Sequence, residues 1–157
     1  MLKFIPLNAA EGAAYLQRRL AWGAISVYYD TALLNSWQRR RKAGQAELTD
    51  LTAPNLLVEV AGARVVGTVS FREANLLTNS IEIGYGVAAQ FRRRGFATEG
   101  VKLALEHLAT HHPKLRQVTA YVSQDNPASM RVLTNNAFEV AHLADEIGLV
   151  TYRLSLG

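Results

Sequence analysis

The chain has 157 residues, 49% of them apolar and 19% charged, which suits one folded domain around a single core and argues against a disordered chain. It has no cysteine, so disulfides, thiolate metal sites, iron–sulfur clusters and a cysteine nucleophile are excluded. The formal net charge is +4, and the excess is clustered in Arg39-Arg40-Arg41-Lys42 and in Arg92-Arg93-Arg94.

In chain order, Leu2 to Leu7 reads as a short first strand, and residues from about Ala9 to Gln45 read as two helices with a break near Gly23. Thr52 to Asn55 is a turn punctuated by Pro54. Leu56 to Val60 and Val65 to Phe71 are strands joined by Ala61-Gly62-Ala63-Arg64, a hairpin signal, and Ile81 to Val87 is a third strand of the same meander. Ala97 to Thr110 is an amphipathic helix, with Ala97, Val101, Ala104, Leu105 and Leu108 on one face. Val118 to Val122 alternates as a strand should. Asn126-Pro127 then opens a short helix, because Asn caps well and Pro suits the first helical position. Phe138 to His142 and Leu149 to Leu154 complete a final hairpin. The expected fold is a single domain over residues 1–157, mixed α/β with a largely antiparallel sheet. No apolar run approaches the roughly 18 residues of a membrane span. No signal-peptide pattern is present either, so the expected address is cytoplasmic, with no membrane partner.

The stretch from Ile81 to Val101, IEIGYGVAAQFRRRGFATEGV, carries the chemistry. A strand ends, a loop rich in glycine and arginine follows, and a helix starts. A helix N-terminus leaves unpaired N–H groups and partial positive charge. Gly95 and Ala97 let such groups approach an anion, and the arginines add forked donors suited to phosphate oxygens. This predicts a pyrophosphate site at the start of the helix. Gly84 to Ala89 also fits the dinucleotide pattern G-x-G-x-x-A. However, the helix begins well after those glycines, and Glu106 lies inside it rather than after a following strand. Gly84 and Gly86 therefore mark a bulge or a close backbone approach.

Arg92-Arg93-Arg94-Gly95-Phe96-Ala97 resembles motif A of the GNAT superfamily of N-acetyltransferases, written Q/R-x-x-G-x-G/A. The preceding EIGYGV looks like the fourth strand of the RimJ/RimL branch, which acetylates protein N-termini and related amines. Asn126-Pro127-Ala128-Ser129 resembles that branch's N-x-x-S. The resemblance implies a GNAT-type α/β sheet flanked by helices, with a central strand pair splayed by a bulge, and acetyl-CoA as cosubstrate without a metal. It places Tyr85, Gly86 and Val87 beside the pantetheine arm, Arg92, Arg93, Arg94, Gly95, Phe96, Ala97 and Thr98 around the pyrophosphate, and Asn126 on the pantetheine. Glu82 is the implied general base, and Ser129 the group near the thioester sulfur. On the residues alone, Asn126 reads equally well as a helix cap, Ser129 as an ordinary helix serine and Glu82 as a solvated strand carboxylate.

The implied reaction transfers acetyl to a primary amine, a protein N-terminus or a small molecule, by direct attack in a ternary complex. Homodimers are common in the resembled branch. Three positions depart from the pattern. Leu133 stands where many members carry a general-acid tyrosine, Ala137 replaces the usual glycine before Phe138, and Ile5 stands where an arginine is common. These departures motivate a rival: a CoA-binding sensor without turnover. A nucleic-acid partner using the arginine runs is disfavoured, because no aromatic residues interleave them. His107 and His111 are spaced i, i+4, but no carboxylate or third ligand is evident beside them, so a solvent-facing pair near the helix C-terminus is expected. Trp22, Tyr28, Tyr29 and Trp37 are assigned to packing by default.

Overall fold

The computed structural model describes residues 1–6, 39, 49–51, 54–62 and 64–157. The two helices expected between Ala9 and Gln45, with their four aromatic residues and the Arg39–Lys42 run, lie outside the described residues apart from Arg39 itself.

Among the described residues, seven strands form one sheet in the order β1-β2-β3-β4-β5-β7-β6. They are β1 (Leu2–Pro6), β2 (Asn55–Glu59), β3 (Arg64–Asn75), β4 (Ser80–Val87), β5 (Gln117–Ser123), β6 (Glu139–His142) and β7 (Leu149–Ser155). A 3-10 turn at Ala89–Phe91 follows β4. The helices are α1 (Phe96–His111), between β4 and β5, and α2 (Pro127–Asn135), after β5. This is the expected GNAT-type mixed α/β architecture. β4 pairs with β5 in parallel, and the other described pairings are antiparallel.

Local chemistry explains most of these elements. β2 is apolar at three successive positions, Leu56, Leu57 and Val58, each at most 1% exposed, as a strand covered on both faces requires. In α1, Val101, Ala104 and Leu108 are wholly buried on the predicted stripe, and the helix begins one residue early, at the buried Phe96. Gly100 lets α1 sit close to the sheet, since a Cβ there would meet Leu57 Cδ1 at 2.4 Å. Asn126 caps α2 by accepting the Ser129 N–H at 3.1 Å, with Pro127 in the first turn. At the other end, Phe138 N–H bonds Leu133 O and Ala137 N–H bonds Thr134 O, each at 3.0 Å. That is the double bond pattern of a Schellman stop. Ala137 sits at its left-handed position, φ +66°, where glycine is the usual occupant. β3 runs on to Asn75, past the expected end at Phe71. None of the described helices is long and apolar enough to cross a membrane.

Candidate active site

β4 and β5 stay together only from Ser80 to Glu82 and from Gln117 to Thr119. Beyond that point β4 keeps its pairing with β3 as far as Val87, and β5 keeps its pairing with β7 as far as Ser123. The two central strands therefore part, and a cleft opens between them. Ala88 N–H bonds Val66 O at 2.9 Å. By the alternation of an antiparallel ladder, the backbone groups of Gly84 and Gly86 face β3, and those of Ile83, Tyr85 and Val87 face the cleft.

The β3–β4 ladder shifts register between Arg72 and Asn75, beside the paired stretch of β4 and β5, rather than at the expected bulge over Gly84–Val87. The β3–β4 register is unbroken from Glu82 to Val87. The glycines serve close approach instead: a Cβ on Gly67 would meet Gly86 O at 2.2 Å, and one on Gly84 would meet the Arg72 guanidinium at 2.8 Å.

The cleft leads to the N-terminus of α1. Gly95 is the cap residue, at φ +76°, and no side chain caps the helix. The first helical bond is Glu99 N–H to Gly95 O, so the N–H groups of Phe96, Ala97 and Thr98 have no acceptor within the helix. A Cβ at Gly95 would meet nothing within 4 Å, so the approach to these groups is open. Arg93, at φ +63°, is a second left-handed residue in the loop, two positions before Gly95. Three free N–H groups, a positive helix end and an unobstructed glycine fit a pyrophosphate.

The three arginines have different duties. Arg94 donates to Glu59 Oε1 at 3.0 Å and lies over the Phe96 ring. Arg92 Nε donates to Val87 O at 3.1 Å, closing the loop onto the end of β4. Arg93 is exposed. Arg92 and Arg94 thus brace the loop that leads into α1. Glu59, nearly buried at the end of β2, binds both Arg64 (2.7 Å) and Arg94. The hydrogen bond from Arg64, with the charges of both arginines, outweighs partial burial and holds its carboxyl below the ordinary range. Its role was not foreseen, although an acid ending the apolar run LLV was a signal.

Tyr85 and Ser129 meet at the cleft. The Tyr85 hydroxyl lies 2.7 Å from Ser129 Oγ and donates to Ser129 O at 3.1 Å. Burial pushes the phenol pKa up and Tyr152 adds to this, against the opposing hydrogen bond from Ser129. Sequence reasoning named both residues but not their contact. Glu82 stands on β4 where the strands part, directly beside Thr119 in register. Ile81 and Ile83 are buried, so Glu82 faces the other side of the sheet, lining a depression with Ser80, Thr119 and Tyr121. Its Oε1 is 3.6 Å from Arg72. Asn126 spends its Oδ1 on the α2 cap.

The histidine expectation is corrected. His107 is not a solvent-facing partner of His111 alone: its Nε2 lies 2.6 Å from Asp50 Oδ2, and His112 Nε2 reaches the same oxygen at 2.6 Å. The carboxylate arrives from 57 positions away along the chain, beyond the reach of local pattern.

A mixed sheet with one splayed parallel pair thus opens on an uncapped, glycine-led helix whose free N–H groups suit an anion. The chain belongs to the GNAT acetyltransferase family: the model described as "Acetyltransferase (GNAT) domain" matches residues 4–139. No curated protein sequence matches significantly. Among solved structures, the chain resembles spermidine N-acetyltransferase from Vibrio cholerae in complex with CoA and spermine, at 15% identity over 98% of this chain and 95% of that one, TM-score 0.68. It also resembles RimL, a ribosomal L7/L12 α-N-protein acetyltransferase, at 16% identity over 99% and 93%, TM-score 0.64. An acetyltransferase of the GNAT family from Bacillus anthracis matches at 17% identity over 65% of each chain, TM-score 0.57. At these identities the likeness is one of fold.

Proposed function

We propose that this protein transfers an acetyl group from acetyl-CoA to a primary amine by direct attack in a ternary complex, with a protein N-terminus or a small-molecule amine as acceptor, as in the RimJ/RimL branch. The observation that carries this reading is the parting of β4 and β5 after Glu82 and Thr119, onto the free N–H groups of Phe96, Ala97 and Thr98. Acetyl-CoA supplies the activated acyl group as a thioester. The α1 N-terminus would hold its pyrophosphate, and the cleft-facing backbone of Tyr85 and Val87 would pair with the pantetheine arm. The Val87 N–H would also face the thioester carbonyl. The Asn126 side-chain amide would border the same arm.

This reading assigns the acid–base roles to Ser129, Tyr85 and Glu82. Ser129 is the proton source for the leaving thiolate, and Tyr85 orients its hydroxyl. Glu82 takes the ammonium proton of the acceptor, directly or through water. An α-amine of pKa near 8 is about one-tenth neutral at pH 7, a deprotonation cost of about 1.4 kcal/mol; a lysine near 10.4 costs about 4.6 kcal/mol. A carboxylate is a weak base, so Glu82 suits an α-amine or another amine of lowered pKa. Most of the acceleration would come from positioning and from donors aimed at developing charge.

The test is CoA release with acetyl-CoA and a panel of N-terminal peptides, polyamines, aminoglycosides and amino acids. Amine-dependent release with acetylated product by mass spectrometry supports the reading. Tight CoA binding with no release across the panel favours the rival, a sensor that keeps the fold without turnover; its motivation is the buried Leu133 where many family members carry a tyrosine.

A further inference from the structure

The contact of Asp50 with His107 and His112 lies away from the acetyl-transfer cleft. His107 is eleven residues along α1 from Phe96, about 16 Å from the pyrophosphate end of the helix. The three side chains are only 13%, 17% and 25% exposed for His107, Asp50 and His112. Their ligand atoms, two imidazole Nε2 and one carboxylate oxygen, all lie within 4.8 Å of one another.

Each member is held from behind. The buried Asn55 donates to Asp50 O at 3.0 Å and to Val69 O at 3.2 Å, tying the Asp50 turn to the sheet. The His107 ring is packed between Phe4, at 4.8 Å between centroids, and His111, which stacks on it at 4.3 Å. His112 is the C-cap of α1, and its N–H bonds Leu108 O at 2.8 Å. The cluster therefore sits at the negative end of the helix, where positive charge is favoured.

We propose that Asp50, His107 and His112 form a binding site for a divalent transition metal of the zinc type, with water or another small ligand completing a tetrahedron. Two neutral imidazoles and one carboxylate are a donor set such ions favour. Zinc bonds of about 2.0–2.2 Å place neighbouring ligand atoms roughly 3.3–3.5 Å apart. The two 2.6 Å contacts then open by less than 1 Å and the two imidazole nitrogens, within 4.8 Å of each other, close to that spacing, as the ion replaces the shared protons, which pass to ring Nδ1 or solvent. The bound ion would pin the turn before β2 to the end of α1. This inference does not depend on the acetyl-transfer reading.

The test uses the full chain stripped with chelator, titrated with Zn(II) by calorimetry and with Co(II) by visible absorption. The expected result is one Zn(II) per chain, a rise in melting temperature reversed by chelator, and the intense four-coordinate Co(II) spectrum. Asp50→Asn and His112→Gln should each weaken binding by roughly tenfold or more, whereas His111→Gln keeps it. Wild-type protein whose melting temperature ignores Zn(II), or Asp50→Asn and His112→Gln variants that bind as well as wild type, would overturn the proposal. The cluster would then be a hydrogen-bonded clasp.

Discussion

Tyr85 on β4 and Ser129 on α2, 44 positions apart in sequence, share a hydrogen bond of 2.7 Å between Oη and Oγ. The bond spans elements on either side of the cleft, linking the end of β4 to the helix that follows β5. If Ser129 protonates the thiolate and Tyr85 orients it, Tyr85→Phe lowers kcat by about tenfold with little change in the KM for acetyl-CoA. One lost hydrogen bond at the transition state costs about 1 kcal/mol. Ser129→Ala lowers kcat further, and adding Tyr85→Phe to it costs little more, because the two act as a unit. Steady-state kinetics of the single and double variants measure this; independent, additive losses would contradict it.

The same phenol makes a stability prediction. Burial, with Tyr152, raises the Tyr85 pKa in the fold above its ordinary value near 10. The folded chain thus keeps a proton that the unfolded chain loses. Its contribution is fully present below about pH 10 and falls away as pH rises from there through the folded value. Denaturant midpoints from pH 8 to 11 should drop more steeply for wild type than for Tyr85→Phe.

Glu82→Gln should lower kcat by about tenfold for an α-amine acceptor, the deprotonation it would assist, and change the pH–rate profile. Its effect on stability should stay within about 1 kcal/mol, since the partner Arg72 side chain is 59% exposed and such pairs contribute little. An unchanged rate and pH profile would remove Glu82 from the mechanism.

Ala137→Gly should stabilise the protein by about 1 kcal/mol, the cost of holding a residue with a Cβ in the left-handed region. Thermal melting reads this as a rise of a few degrees. Gly67→Ala should do the reverse, by about 1–3 kcal/mol, because its Cβ would collide with Gly86 O and push β4 from β3. It should also raise the KM for acetyl-CoA, since the displaced strand lines the cleft.

Much of this was legible in the sequence, where local rules act alone. The β-branched and apolar runs gave β2, β4 and β5, the helical stripe gave α1, and Asn126-Pro127 gave the start of α2. Gly95 after three arginines marked the start of α1, because a left-handed cap residue needs only backbone freedom. The polar end of β3, FREAN, carries no strand pattern; pairing of Asn75 with Ser80 extends it. The contacts of Asp50 with His107, Glu59 with Arg94 and Tyr85 with Ser129 join residues 35 to 57 positions apart. They depend on strand order and helix docking, which no local spacing encodes. The bulge expected in β4 is absent between Glu82 and Val87, where the register with β3 is unbroken and Gly67 lets the Gly86 carbonyl come close.

The central claim is that the cleft between β4 and β5, ending on α1, holds acetyl-CoA. Its most direct test is a thermal melt without ligand and with acetyl-CoA, CoA or NAD, each at about 100 times the dissociation constant expected for CoA. Binding at that level adds about 2.7 kcal/mol, a rise of roughly 5–10 °C for a chain of this size. The account predicts that rise with acetyl-CoA and CoA and none with NAD. A melting temperature indifferent to both CoA species would contradict it.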